Sequence, residues 1–282
     1  MDRRAREIYA EKKEALEKGD AEVTKQVGRG KDILSILMRA NSSADVNDRL
    51  PEEEVIAQMS VFLAAAQDTT SNAIARVLHI LAQKPDYQER LRNELLESRA
   101  GDDLAYDDLN RLPLLDSIIR ETLRLYPPAS ILLRVATQDT VLPLSEPIRT
   151  VDGQEMTEVP IPKGSEFLVG FLGCNASRSV WGEDSLEWRP KRWMPSLPTS
   201  VTEARIPGVY PNLTTFAAGK RSCIGFKFAE MEMKAMLSML ISHFVFQLSD
   251  KPIVWNVAAI LYPTVGWESL RPELPLSVGL YK

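Results

Sequence analysis

The ten residues FAAGKRSCIG, at positions 216–225, decide how this chain is interpreted. Glycines stand on both sides of Cys223, and the apolar pattern that follows predicts a helix over 224–242. The cysteine therefore lies near a helix N-terminus, where the helix dipole and backbone N–H groups favour a thiolate over a thiol. The guanidinium of Arg221 suits a carboxylate, and the glycines let the backbone pass close to a flat ligand. A cysteine considered alone is more often a small buried hydrophobe, so that alternative stays open.

A helix over 116–126 is predicted just before Pro127-Pro128, which cannot continue it. It contains Glu121 and Arg124, which are three residues apart and share a helix face. Such a pair occurs in many helices, and at a surface it contributes well under about 1 kcal/mol. The pair is therefore either an ordinary surface ion pair or one with a structural role.

Pro51 and the three glutamates after it mark a helix start, and helical spacing continues over 52–83. Within this helix lies AAQDTT, at 65–70. Small residues allow close packing, and the hydroxyl of Thr69 can bond back to the carbonyl of Ala65. An alternative is that Asp68 and Thr69 serve proton transfer.

The spacing F-x-x-G-x-R-x-C-x-G resembles the haem-binding signature of the cytochrome P-450 superfamily. The resemblance implies a haem b cofactor with Cys223 as the thiolate ligand of the iron, a ligand that pushes electron density toward O–O cleavage. It also implies that Arg221 pairs with a haem propionate and that Phe216 shields the sulfur. Gly219 and Gly225 are the glycines of the signature.

The other two patterns fit the same family. Glu121 and Arg124 resemble two members of its core triad, and the stretch WRPKRWMP supplies Arg192 as the third, which implies a buried charge network beneath the cysteine loop. The segment at 65–70 resembles the family's oxygen-activating segment, although alanine stands where glycine is commoner. It implies that Thr69 donates a hydrogen bond to dioxygen and that Asp68 relays protons.

Further positions are carried over from the family with an alternative beside each. Arg134 matches a second propionate-binding arginine, or is a strand-edge residue. Lys220 and Lys227 match the surface on which the family docks an NADPH-dependent reductase, or are ordinary solvated lysines. His79, His243 and Cys174 are interpreted as packing or surface residues.

Composition restricts the remaining possibilities. The chain has 282 residues, a net charge of −5, two cysteines and two histidines. Dispersed basic residues argue against nucleic-acid binding, and the longest apolar run is too short to span a bilayer. Beta-branched runs over 131–169 predict a small antiparallel sheet, and 178–215 is expected to be irregular. The predicted fold is therefore mainly α with a small antiparallel β sheet, the C-terminal part of the cytochrome P-450 fold.

The resemblance implies a monooxygenase that inserts one oxygen atom of dioxygen into an apolar organic substrate. Substrate-contacting positions are expected around Ala64, 129–133 and 261–265. We expect residues 1–282 to form a single, incomplete haem-binding domain without the family's N-terminal half, and the full-length family to lie on the cytoplasmic face of the endoplasmic reticulum membrane. Two alternatives are an isomerase or dehydratase of the same fold, against which Asp68 and Thr69 argue, and a truncated fragment that is non-catalytic and binds haem poorly or not at all.

Overall fold

The structure, a computed structural model, describes residues 2–25, 29–98, 105–194 and 196–282. Within these residues the chain is mainly helical. The α-helices are α1 (Asp2–Lys18), α2 (Asp20–Val23), α3 (Ile33–Ser43), α4 (Glu52–Gln83), α5 (Pro85–Glu97), α6 (Tyr106–Leu109), α7 (Pro113–Leu125), α8 (Phe171–Asn175), α9 (Arg178–Trp181), α10 (Thr199–Glu203) and α11 (Phe226–His243). Short 3₁₀ turns lie at Val46–Asp48, Pro190–Trp193 and Gly219–Arg221.

The strands form two-stranded antiparallel ladders, not one sheet. Strands β1 (Ile131–Val135) and β4 (Glu166–Gly170) pair, as do β2 (Thr140–Arg149) and β3 (Glu155–Ile161), β5 (Phe244–Leu248) and β8 (Leu276–Leu280), and β6 (Ile253–Asn256) and β7 (Tyr262–Val265). Leu133 lies opposite Leu168, and Phe244 lies opposite Leu280. The predicted fold class is confirmed, with its β structure divided among four ladders in the described part of the chain.

The long helix begins and ends where the sequence predicts. Three glutamates occupy the first turn of α4, where acidic side chains interact favourably with the helix dipole. Pro85 then starts α5 at a first-turn position, because a proline there lacks only an N–H that would be unbonded anyway. Helix α7 begins at Pro113, three residues before the predicted start, and ends ahead of Pro127-Pro128.

The chain divides into two compact units, Met1–Asp68 and Thr69–Lys282. In the first, a small apolar core forms around Leu34, Met38 and Val55. Ion pairs surround it, including Lys12 with Asp32 at 2.8 Å. Helix α1 buries two of its alanines, Ala5 and Ala15.

The second unit holds the larger core, to which α4, α5, α7 and α11 contribute. Its fully buried members include Val77, Leu91, Leu115, Ile118 and Leu237. At about 25 cal/mol per Å² of apolar surface removed from water, such aliphatic side chains each stabilise the unit by roughly 1.5–3 kcal/mol. Burial of this core fixes α7 and α11, the two helices that carry the candidate site.

Two buried polar side chains of α5 tie this helix to the end of α11 and to β5. Arg92 donates to the carbonyls of Ile241 at 3.0 Å and Phe244 at 2.9 Å. Gln88 donates to the carbonyls of Leu81 and Phe246 and accepts from the Phe246 amide at 2.9 Å. Since buried polar groups are costly unless bonded, these contacts specify one arrangement of the elements.

Among the described residues, no helix is both long enough and apolar enough to cross a membrane.

Candidate functional site

The loop at 216–225 folds back on itself and then enters α11. The Cys223 N–H donates to the Phe216 carbonyl at 2.8 Å, and the Ser222 N–H donates to the Gly219 carbonyl at 3.1 Å. Helix α11 follows three residues after the cysteine. Cys223 is exposed and is in no disulfide, so it is not the small core hydrophobe that the sequence left as an alternative.

Two backbone positions in this loop adopt left-handed dihedral angles. Gly219 has φ +69° and Ala217 has φ +57°, a region that residues with a Cβ enter at a cost of about 1–2 kcal/mol. Gly225 lies beside the cysteine, and a Cβ placed there would make an ordinary van der Waals contact with the Cys223 sulfur at 4.0 Å.

Phe216 anchors the start of the loop by aromatic packing. Its ring is half-buried and lies 5.3 Å from that of Tyr210 and 6.2 Å from that of Phe226, measured between centroids. Tyr210 is itself 1% exposed, and burial strongly raises the pKa of its phenol, so it stays neutral. The packing holds Phe216 between the core and the cysteine loop.

The second cysteine differs from the first in its surroundings. Cys174 is partly buried in α8. Burial raises the pKa of its thiol, and a hydrogen bond with Thr214 offsets this only in part. Its protonated form is therefore favoured, whereas a metal ligand must be a thiolate.

The basic residues around the loop are mostly exposed. Within the described part of the chain, Arg221 makes no ion pair, and Lys220 and Lys227 are exposed on the same stretch. Arg134 lies in β1 opposite Phe167, and its guanidinium donates to the neighbouring Leu133 carbonyl at 2.9 Å. The structure records no hydrogen bond between Arg134 and the cysteine loop among the residues it describes.

Glu121, Arg124 and Arg192 meet in one buried charge network. Arg124 bonds both carboxylate oxygens of Glu121 at 2.9 Å, and Arg192 Nε lies 3.4 Å from Glu121 Oε1. The side chains of Glu121 and Arg124 are 0% exposed and that of Arg192 is 7% exposed. The ordinary surface pair that the sequence left open is therefore not what the fold contains.

Residues that the sequence analysis did not single out complete this network. Trp193 Nε1 donates to Glu121 Oε2 at 2.9 Å, and the backbone N–H of Arg189 donates to Glu121 Oε1 at 2.9 Å. Arg192 also donates to Asp184 Oδ1 at 3.0 Å and, beside Arg189, lowers the pKa of that carboxyl. Trp193 stands next to Arg192 in the stretch EWRPKRW, and this adjacency is the sequence feature that could have predicted its place in the network.

Asp68 and Thr69 lie in the middle of α4, as predicted, and each has interactions within the protein. Asp68 is exposed and Thr69 is partly exposed. Asp68 is the last residue of the first unit, and Thr69 is the first of the second. Their predicted chemical roles stay predictions.

Two of the segments expected to contact substrate come together. The Leu261 N–H donates to the Pro128 carbonyl at 2.8 Å, which brings 261–265 beside 129–133. Several apolar side chains of these and neighbouring residues are exposed: Ile131 by 46%, Leu133 by 56% and Leu168 by 67%. The second unit thus presents an apolar strand surface.

Comparisons with a family model, with related sequences and with solved structures all give the same family. The family model described as Cytochrome P450 matches residues 2–263. A protein named "Cytochrome P450 monooxygenase 81" from Postia placenta is 57% identical over 282 residues, which are 100% of this chain and 52% of that protein. A ganoderic acid synthetase from Ganoderma lucidum is 50% identical over 99% of this chain and 52% of its own length.

A crystal structure of a cytochrome P450 matches with a TM-score of 0.67 at 28% identity, over 89% of this chain and 50% of that one. The chain therefore spans about half the length of the relatives that it matches. The similarity covers both compact units and includes the cysteine loop.

Proposed function

This chain belongs to the cytochrome P450 family, and on that premise we propose that it carries the haem-thiolate part of a monooxygenase. Family membership implies haem, and the cofactor proposed here is haem b, held by Cys223 as its thiolate ligand. One observation carries the proposal: the family's cysteine stands exposed on a loop whose backbone is hydrogen-bonded and packed against the core.

The donor set of the loop suits this cofactor. The Cys223 sulfur is exposed, and a cysteine thiolate is a soft donor of the kind that binds haem iron. Arg221 has an exposed guanidinium with no ion pair within the described part of the chain, suited to a propionate, and Arg134 is proposed for the second. The half-buried ring of Phe216 would shield the sulfur from water.

When bound, the haem supplies the iron chemistry that activates dioxygen. The chain's own residues supply the ligand and the protons. We propose that the Thr69 hydroxyl donates a hydrogen bond beside the reacting oxygen and that the Asp68 carboxylate passes protons to it from solvent. The apolar surface around Leu133 and 261–265 suits an apolar organic substrate.

The electron donor proposed is an NADPH-dependent reductase, docked where Lys220 and Lys227 lie exposed. The proposed location is the cytoplasmic face of the endoplasmic reticulum membrane. Because the chain spans about half of each relative's length, these statements are proposals for a whole enzyme of this family.

The test of the ligand uses the full chain loaded with haem and then reduced under carbon monoxide. Cys223→Ala should abolish the thiolate-type absorption band even if haem stays bound, while Cys174→Ala should keep it. A thiolate-type band in Cys223→Ala would overturn the ligand assignment.

The test of the proton route measures coupling in reductase-supported turnover of a chain extended to the full length of its relatives. Thr69→Ala should retain haem but divert reduced oxygen to hydrogen peroxide, whereas Asp68→Asn should slow turnover. Normal rate and normal coupling in both variants would contradict the role of the pair.

A further inference from the structure

Asn175, the last residue of α8, is a fully buried amide whose hydrogen bonds are directed at the start of the cysteine loop. Its Oδ1 accepts from the Thr214 N–H at 2.9 Å and from the Thr214 hydroxyl at 3.0 Å, and its Nδ2 donates to the Thr215 hydroxyl at 2.8 Å. A backbone N–H can only donate, so the amide oxygen must face Thr214. The orientation of the amide is therefore fixed.

The same residue contacts the buried charge network through its backbone. The Asn175 carbonyl accepts from Arg124 Nη1 at 3.0 Å, while the other edge of that guanidinium holds Glu121. The Thr215 hydroxyl in turn donates to the Leu123 carbonyl at 2.9 Å, one residue before Arg124. Asn175 and Thr215 thus connect the loop to α7 by two parallel routes.

The residues that Asn175 holds determine the path of the loop. The Thr214 carbonyl accepts from the Ala217 N–H at 2.8 Å and closes the turn in which Ala217 adopts its left-handed angle. The Phe216 carbonyl accepts the N–H of Cys223. A shift at 214–215 would therefore move the acceptor that fixes the cysteine backbone.

We propose that Asn175 is a positioning residue for the Cys223 thiolate. Its backbone carbonyl binds Arg124 of the buried pair, and its side-chain amide binds Thr214 and Thr215 at the start of the loop. This inference rests on the proposed function, since it assigns Cys223 as the ligand. An amide is required because the position needs an acceptor for Thr214 and a donor for Thr215 at once, and a carboxylate or an aliphatic side chain cannot supply both.

The experiment compares Asn175→Leu with Gln88→Leu in the full chain. Gln88 is the control, since it is also a buried amide in the same unit, with four side-chain hydrogen bonds, but its partners are Leu81, Arg92 and Phe246 and not the loop. Two quantities are measured: amide hydrogen exchange of segment 212–226 without haem, and the thiolate-type share of the carbon monoxide spectrum per bound haem. Thr215→Val is a milder second variant that keeps the side-chain volume and removes the hydroxyl.

Asn175→Leu should speed exchange of 212–226 by about tenfold or more, the scale set by losing one or two net hydrogen bonds, while Gln88→Leu should not. Thr215→Val should shift exchange in the same direction by less. Asn175→Leu should also lower the thiolate-type share, whereas Gln88→Leu should leave that share unchanged even if both lose melting temperature.

Equal loop exchange and equal spectra in the two leucine variants would overturn the assignment of Asn175. If the unaltered chain with haem shows no thiolate-type band, the proposed function fails, and loop exchange alone still decides whether Asn175 fixes the loop. If Asn175→Leu does not fold, unchanged loop exchange in Thr215→Val overturns the inference.

Discussion

The Glu121–Arg124 pair and the Cys223 loop belong to the same unit, yet they are built in opposite ways. Both oxygens of Glu121 are hydrogen-bonded, and neither member of the pair is exposed. In the loop, Arg221 and Cys223 are exposed, and Ile224 is 89% exposed. The difference teaches that one region has its bonding satisfied within the protein, whereas the other leaves a cysteine sulfur and a guanidinium exposed.

This contrast leads us to expect that substitutions in the first region lower stability and that substitutions in the second lower ligand binding. A buried charge left without its partner is costly, whereas an exposed charge is already solvated. Four expectations test or refine the contrast.

The largest effect should come from Glu121→Ala. It leaves the Arg124 guanidinium buried without its carboxylate, and removal of one partner from such a pair costs about 3–5 kcal/mol. The matched control is Asp108→Ala, because Asp108 and Arg111 form an exposed acid–base pair at the same three-residue spacing. Thermal melting of the two variants measures the difference. Similar melting temperatures would contradict the claim that the buried pair stabilises the fold more than the exposed pair does.

Arg221→Ala should show the reverse behaviour. A hydrogen bond to a charged group contributes about 1.5–3 kcal/mol, so haem affinity should fall roughly ten- to a hundredfold while melting of the haem-free chain stays unchanged. Lys220→Ala, at the adjacent exposed position, serves as the control. Haem titration measures both, and equal affinities would remove Arg221 from the proposed site.

A smaller effect is expected from Gly219→Ala. The added Cβ meets no atom within 4 Å, so the cost is that of the left-handed backbone alone, about 1–2 kcal/mol of stability. Gly279→Ala in β8 also has open space but an ordinary φ, and it should be neutral or slightly stabilising. Denaturant unfolding of both variants measures the difference in stability. Equal stabilities would show that the left-handed angle at Gly219 does not matter for the fold.

The smallest effect concerns His79, which is 6% exposed and accepts from Trp255 Nε1 at 2.9 Å through Nδ1. Burial, with the nearby charge of Arg76, lowers the pKa of His79 below its usual 6.5. Just below pH 6.5 the unfolded chain therefore binds a proton at His79 more readily than the folded chain does. The contribution of neutral His79 to folding stability is complete above pH 6.5 and declines as the pH falls below it.

Melting temperatures between about pH 7.5 and 5.5 measure this decline. His79→Gln should flatten the slope, while His243→Gln, at the chain's other and exposed histidine, should not. If the pH dependence of the melting temperature is the same in His79→Gln, buried His79 does not cause the loss of stability at low pH.

Much of the local structure could be predicted from the sequence. Pro51 with the following glutamates, Pro85 and Pro127 fix helix ends, because a proline lacks the N–H and the backbone freedom that a helix interior needs. The spacing around Cys223 identified the family, and WRPKRWMP supplied the arginine that meets Glu121. These features depend on residues close together in the chain.

Tertiary structure alone decided the partners that lie far apart. Glu121 receives the Trp193 indole from 72 residues away, and Arg124 reaches the carbonyl of Asn175 across 51 residues. The division of the strands into four ladders, within the described residues, and the pairing of His79 with Trp255 are of the same kind. Local patterns fix helices because their hydrogen bonds join residues four apart, whereas the partner of a buried amide or carboxylate is chosen only when packing brings distant segments together and excludes water.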